Sequence, residues 1–98
     1  MPTYVTLWQY TQRGAQTIRE SPKRIDRIED QFAEMGGELR EFHMLMGRYD
    51  TITISEFPDD ETATQAILSV TEEGNVSSET LKAFSREATR DLIEGIPQ

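Results

Sequence analysis

The residues of this 98-residue chain that could do chemistry are few. His43 is the only histidine and cysteine is absent. Composition therefore excludes a thiolate nucleophile, a disulfide, an iron–sulfur cluster, a zinc–thiolate site and any multi-histidine metal centre within one chain. His43 has the one side chain with an ordinary pKa near neutrality, so a general-base or haem-ligand role would start from it. Its plainer role is that of a packed or hydrogen-bonded strand residue. Shortly after it, Gly47-Arg48-Tyr49-Asp50 places a phenol beside a carboxylate. As a turn, glycine supplies positive φ and Asp50 bonds its own backbone, with Tyr49 as a packing lid. As a site, the Tyr49 hydroxyl and Asp50 carboxylate orient an amine or hydroxyl ligand in a pocket between subunits.

Other candidates have competing structural explanations. Trp8 and Tyr10 could line a cavity for a planar molecule or anchor an interface. Asp59-Asp60-Glu61 lacks the spaced oxygen ligands of a calcium loop and suits a helix start, where the dipole favours acids. Serine catalysis has no Gly-x-Ser-x-Gly elbow to rest on. No metal and no cofactor are expected.

Composition narrows the partners. With 36% hydrophobic and 29% charged residues the chain has the balance of a globular protein, and residues 1–98 are expected to form a single domain. Its net charge of -8 repels the phosphates of nucleic acid and anionic lipid, so neither is expected as a partner. Arg13, Arg19, Lys23, Arg24 and Arg27 cluster near the first helix, but Glu20 and Asp26 interleave with them, as on a solvated face. The acid excess, with Lys23 and Lys82 the only lysines, would suit a salt-adapted source. The opening Met1-Pro2-Thr3-Tyr4-Val5 shows no basic or apolar leader and no stretch approaches a membrane span, which makes the cytoplasm the expected location.

The elements that must position these residues follow from periodicity. Thr3 to Tyr10 alternates, with Val5 and Leu7 on one side and Tyr4, Thr6, Trp8 and Tyr10 on the other. Ser21-Pro22 has the form of a helix cap followed by proline at the first helical position, and Ile25, Ile28, Phe32 and Met35 recur at helical spacing up to Gly36-Gly37. Leu39 to Met46 and Thr51 to Phe57 read as a hairpin around the Gly47–Asp50 turn. Pro58 to Glu61 opens a second helix with Ala63, Ala66, Ile67 and Val70 inward and Gly74 as its stop. Val76 to Phe84 reads as the last strand, and Ser85 caps a final helix carrying Ala88, Leu92 and Ile93.

This order predicts an α+β, ferredoxin-like βαββαβ fold: a four-stranded antiparallel sheet with two helices on one face, plus a C-terminal helix. The helix-free face is expected to carry Tyr4, Trp8 and Tyr10. A two- or four-residue hairpin loop would add Phe42, Met44 and Met46 to them, and an odd-length loop His43 and Leu45, since one register step flips every side chain. Either apolar-aromatic patch would bury about 1.5–3 kcal/mol per large side chain against a second copy.

The turn Gly47-Arg48-Tyr49-Asp50 resembles the Gly-x-Tyr-Asp signature that names the GYD-domain family. The likeness runs through Tyr4-Val5-Thr6-Leu7, Ser21-Pro22-x-Arg24, Gly36-Gly37, Gly74-Asn75-Val76 and Glu79-Thr80-Leu81-x-Ala83-Phe84. It implies a dimeric α/β-barrel member of the ferredoxin-like group, bacterial or archaeal, in a family largely without assigned function. A weaker likeness, over Gly47 to Phe84, runs to the ligand-sensing domain of leucine-responsive regulators, whose turn helps bind amino acids between subunits.

Three functions are therefore expected in competition. The preferred one is a homo-oligomeric binding or interaction module, its stacked sheets enclosing a small organic ligand near Trp8, His43, Tyr49 and Asp50. The second is a cofactor-independent small enzyme, monooxygenase- or isomerase-like, with His43 or Asp50 as base. The third is a purely structural assembly unit with no cavity.

Overall fold

The computed structural model describes every residue from Met1 to Gln98. In chain order the elements are β1 (Thr3–Tyr10), α1 (Gln12–Gln16), a 3-10 turn (Ile18–Glu20), α2 (Ser21–Glu34), β2 (Glu38–Met44), β3 (Thr51–Glu56), α3 (Asp60–Thr71), β4 (Val76–Ala83) and α4 (Arg86–Glu94). The strands form one antiparallel sheet in the order β2-β3-β1-β4, with α2 and α3 on the same face. This is the ferredoxin-like α+β arrangement: the first crossover, from β1 to β2, leaves a position that β3 fills, and the second, from β3, passes over β1 to set β4 at the far edge.

Local chemistry accounts for most of the boundaries. Asp59 caps α3 by accepting the Thr62 N–H at 2.8 Å, and the chain leaves that helix through Gly74 at φ +85°. Ser85 caps α4 by accepting the Ala88 N–H at 3.0 Å. The start of α2 differs from expectation. Ser21 is its first helical residue rather than its cap, because the chain is already coiled through α1 and the 3-10 turn when it arrives. The Ser21 hydroxyl is thereby released to meet the Tyr10 hydroxyl at 3.3 Å. The segment before it is fastened to the loop preceding β4: Thr11 donates from its hydroxyl to the Gly74 carbonyl at 2.6 Å and from its N–H to the Asn75 carbonyl at 3.0 Å. Gly14 packs so closely there that a Cβ would collide with the Asn75 carbonyl.

The core lies between the sheet and the two long helices. Tyr4 and Trp8 of β1 meet Phe32 of α2, Phe57, and Ala63, Ala66, Ile67 and Val70 of α3. Phe32 and Phe57 pack edge to face with ring centroids 5.0 Å apart.

This placement corrects the expected use of the two faces. Tyr4, Trp8 and Tyr10 do not lie on the helix-free side; they point under the helices, and Tyr4 and Trp8 are buried. Two physical reasons decide it. Each polar tip finds a partner on the helix side: Tyr4 hydroxyl donates to Asp60 at 2.5 Å, Trp8 Nε1–H to Thr53 Oγ1 at 3.0 Å, and Tyr10 hydroxyl lies against Ser21. The small residues Thr6, Thr53 and Ser55 on that face leave room for the rings of Phe32 and Phe57. The loop over residues 45–50 joins strands in which Phe42 faces Thr53 and His43 faces Ile52. Phe42 and Met44 therefore follow Trp8 to the helix side, and His43 goes to the other.

Ser55 is fully buried and its hydroxyl has no partner. A buried hydroxyl without a hydrogen bond opposes folding. Ser55→Ala is expected to raise stability by about 1 kcal/mol, measured as a higher urea midpoint with an unchanged slope; a lower midpoint would contradict the assignment.

The last helix stands apart. Every α4 residue except the half-buried Ala88 is exposed, and Leu92, Ile93 and Ile96 are each more than half exposed. The Cα radius of gyration of 15.0 Å exceeds the roughly 13 Å of a compact chain this long.

Candidate functional site

The sheet face opposite the helices carries the first candidate site. Strand alternation brings Val5 and Leu7 of β1, Ile52 and Ile54 of β3, and Leu81 of β4 onto it, since Val5 pairs with both Ile54 and Leu81, and Leu7 with Ile52. The four residues of the two central strands are half-buried by their neighbours alone, and Leu81 is 48% exposed. No element of the chain packs over them. An aliphatic stripe of this kind, rimmed by charge, marks an interaction surface. The rim is polar: Glu41 with His43 on β2, Arg40 with Glu56, and Glu79 on β4.

The residues singled out from sequence divide between the two faces. His43 is exposed, and its Nε2 lies 3.1 Å from a Glu41 carboxylate oxygen. Tyr49 reaches across the end of β1 to donate its hydroxyl to Glu79 at 2.6 Å, and the Arg48 guanidinium sits 5.2 Å from its ring centroid. The Glu79 carboxylate accepting that hydroxyl raises the Tyr49 phenol above its usual value. Asp50 holds the turn to β1: its carboxylate accepts the Tyr10 N–H at 2.8 Å, and its own N–H donates to the Trp8 carbonyl at 2.8 Å. Trp8 lies on the opposite side, buried under α2. Tyr49 and His43 thus belong to the rim of the aliphatic face, Asp50 to the turn beneath it, and Trp8 to the core. No cluster of three or more His, Asp or Glu side chains is placed to hold a metal ion.

The aliphatic stripe was missed as a site by sequence reasoning. Its signal was present in the alternation of Val5 and Leu7 and of Ile52 and Ile54; the aromatic set drew the assignment because aromatic rings anchor interfaces. The serine and threonine residues that share the aromatic side were the counter-signal, since small residues set between large ones leave room for side chains coming down from a helix.

A second polar cluster joins β1 to the start of α3. Burial, together with the hydrogen bond donated to Asp60, pushes the Tyr4 phenol up to about 12. Asp60, held by the Tyr4 hydroxyl and Lys82, and Asp59, held by Thr62, are shifted below the usual carboxylate value. The Tyr4 group binds its proton more tightly folded than unfolded, so its contribution is complete below pH about 10 and is lost as pH rises from there through about 12. The two aspartates act in the opposite sense: their contribution is present above the ordinary carboxylate range and is lost as pH falls through and below it. Ultraviolet titration is expected to show one phenol ionising only with alkaline unfolding. A Tyr4→Phe variant should lack that late step, and its persistence in the variant would refute the assignment.

The sequence profile of the GYD domain family matches residues 4–93. A protein of Thermus thermophilus named glutamine synthetase and cystathionine beta-lyase binding protein is 30% identical over 85 residues, covering 86% of this chain and 90% of that protein. The crystal structure of TTHA0845, also from Thermus thermophilus, superposes with a TM-score of 0.51 at 26% identity, over 87% of this chain and 95% of that one.

Proposed function

The chain belongs to the GYD-domain family, and we propose that it works as a homo-oligomeric protein-interaction module in which two copies stack their helix-free sheet faces. The observation that carries this is the uncovered stripe Val5, Leu7, Ile52, Ile54 and Leu81. Two such stripes form a dry, self-complementary contact between two-fold-related copies, with Glu41–His43 and Tyr49–Glu79 at its rim. Any small organic ligand held between the stacked sheets would meet His43 and Tyr49 there.

The naming of the Thermus relative for binding two enzymes supports other proteins as further partners of this chain. The apolar residues of α4 and of the tail just after it, Leu92, Ile93 and Ile96, are free of the rest of the domain and are the contact we assign to them. Leu92 and Ile93 lie in the last turn of the helix with Ile96 just beyond its end, and Arg86, Glu87, Arg90, Asp91 and Glu94 lie on the side away from Leu92. An acid–base role is not favoured by the geometry, because the exposed His43 pairs only with Glu41 and the Asp50 carboxylate is occupied by the Tyr10 N–H.

The test is the assembled mass by light scattering across protein concentration, together with saturable binding to purified glutamine synthetase and cystathionine beta-lyase from the same source. A concentration-independent dimer or larger oligomer that captures either enzyme, and loses it on Leu92→Asp, supports the proposal. A monomer at all concentrations that binds neither enzyme overturns it.

A further inference from the structure

Two side chains unused by the sheet face, Ser21 and Arg24, stand three residues apart on one face of α2 and line a cavity of about 60 Å³ on the opposite side of the sheet. Its walls are apolar: Trp8 of β1, Ile28 of α2, Leu39 and Phe42 of β2, and Val70 of α3. We propose that this cavity is a binding site for a small carboxylate with a compact aliphatic tail, the tail lodged beside Trp8 and the carboxylate held by Arg24.

Volume sets the tail. A space of about 60 Å³ between α2 and the sheet admits a compact branched group such as isobutyl rather than a long chain or a fused ring. With so little polar lining, an apolar group fills it more favourably than water does.

Charge sets the head group. Arg27 at the rim is neutralised by Glu73, which lines the same opening. Arg24 has no carboxylate partner. It is half-buried, and two of its nitrogens donate to Thr17, to the hydroxyl at 3.1 Å and to the carbonyl at 3.2 Å. Those bonds fix the planar guanidinium while leaving N–H donors free, an arrangement matched to a carboxylate rather than an amine. In a chain of net charge -8, the mouth of this cavity is left with one uncompensated positive charge. The Tyr10 and Ser21 hydroxyls, 3.3 Å apart at the same lining, supply neutral hydrogen-bonding groups beside it.

Trp8 is the only tryptophan, so its indole N–H resonance reports on the cavity without ambiguity. Titration of the full chain with isovalerate is expected to shift that resonance saturably, with a Kd below about 1 mM, in the range open to a ligand of this size. Isovaleramide, of the same shape but uncharged, should bind at least about tenfold more weakly, as should isovalerate to Arg24→Gln; both losses are typical of a charge-assisted hydrogen bond. Ile28→Phe, which fills the space, should abolish the shift with the fold retained. Should Arg24→Gln fail to fold, the acid–amide comparison on the natural chain still decides. Equal binding of acid and amide, no shift at about 20 mM isovalerate, or shifts confined to the surface bases Arg13, Arg19 and Lys23 would overturn the proposal. The site is independent of the sheet face, so a variant that fails to self-associate should still bind isovalerate.

Discussion

On the proposed stacking of two sheet faces, Ile52→Lys is expected to bring the assembled mass down to that of a monomer without unfolding it. Ile52 sits in β3 between Leu7 of β1 and His43 of β2, near the middle of the aliphatic face. In a single protomer it is half-buried with open space above, so a lysine stem can lie along the sheet and carry its ammonium to water. The expected change in protomer stability is within about 1 kcal/mol. Between two stacked sheets the stem has no room to lie flat, so the ammonium must part the apolar contact to reach the rim or stay buried within it, where an uncompensated charge costs about 3–5 kcal/mol. Association should weaken by about 100-fold or more, since each 1.4 kcal/mol is a factor of about ten. Light scattering during size exclusion at micromolar concentration reads the result. Leu68→Lys, a change on the exposed outer side of α3, is the matched control and should leave the mass unaltered. If Ile52→Lys kept the parental mass while Leu68→Lys reduced it, the stacking face would have been assigned to the wrong side of the sheet.

Phe32→Ala is expected to lower folding stability by about 3–5 kcal/mol. Phe32 is fully buried, its ring meets Phe57 edge to face, and it is the buried apolar anchor of α2. Removing it takes away both its transfer energy and the packing of its neighbours, and the cavity already present under α2 shows that this helix does not close down tightly on the sheet. Against the roughly 5–15 kcal/mol that holds a small domain together, a loss of this size brings the chain close to unfolding at room temperature. Chemical denaturation followed by Trp8 fluorescence measures it. Met46→Ala, at a fully exposed loop position, should stay within about 0.5 kcal/mol of the parent. A loss below about 1 kcal/mol at Phe32 would mean that α2 is held by something other than its aromatic contact.

Most of the element plan could be read along the chain because it depends on near neighbours. Asp59 and Ser85 cap their helices through bonds to residues three positions on, and Gly74 turns the chain through its own φ. The start at Ser21 differs because residues 12–20, expected as a plain connection, form helical turns that hand the chain over already coiled, and those turns are tied through Thr11 to a loop 63 residues away. The candidate site was only half legible for the same reason. Tyr49 and Asp50 were placed in a turn by their types, and the structure keeps them there. Their grouping with Trp8 and His43 required knowing which side of the sheet each would occupy.

Alternation along β1 and β3 says that a strand has two differently used sides, and the residue types determined that much, together with the order of elements, the ferredoxin-like topology and the kinship of the turn. Which side meets the helices is a long-range matter. It was settled by Asp60, Thr53 and Ser21 lying where the tips of Tyr4, Trp8 and Tyr10 can reach them, and by the small buried Thr6 and Ser55 leaving room on that face for the buried Phe32 and Phe57. A hydrogen-bonding tip lowers the cost of turning an aromatic ring inward, whereas Val5, Leu7, Ile52 and Ile54 have no polar atoms to satisfy and can be left for another molecule to cover.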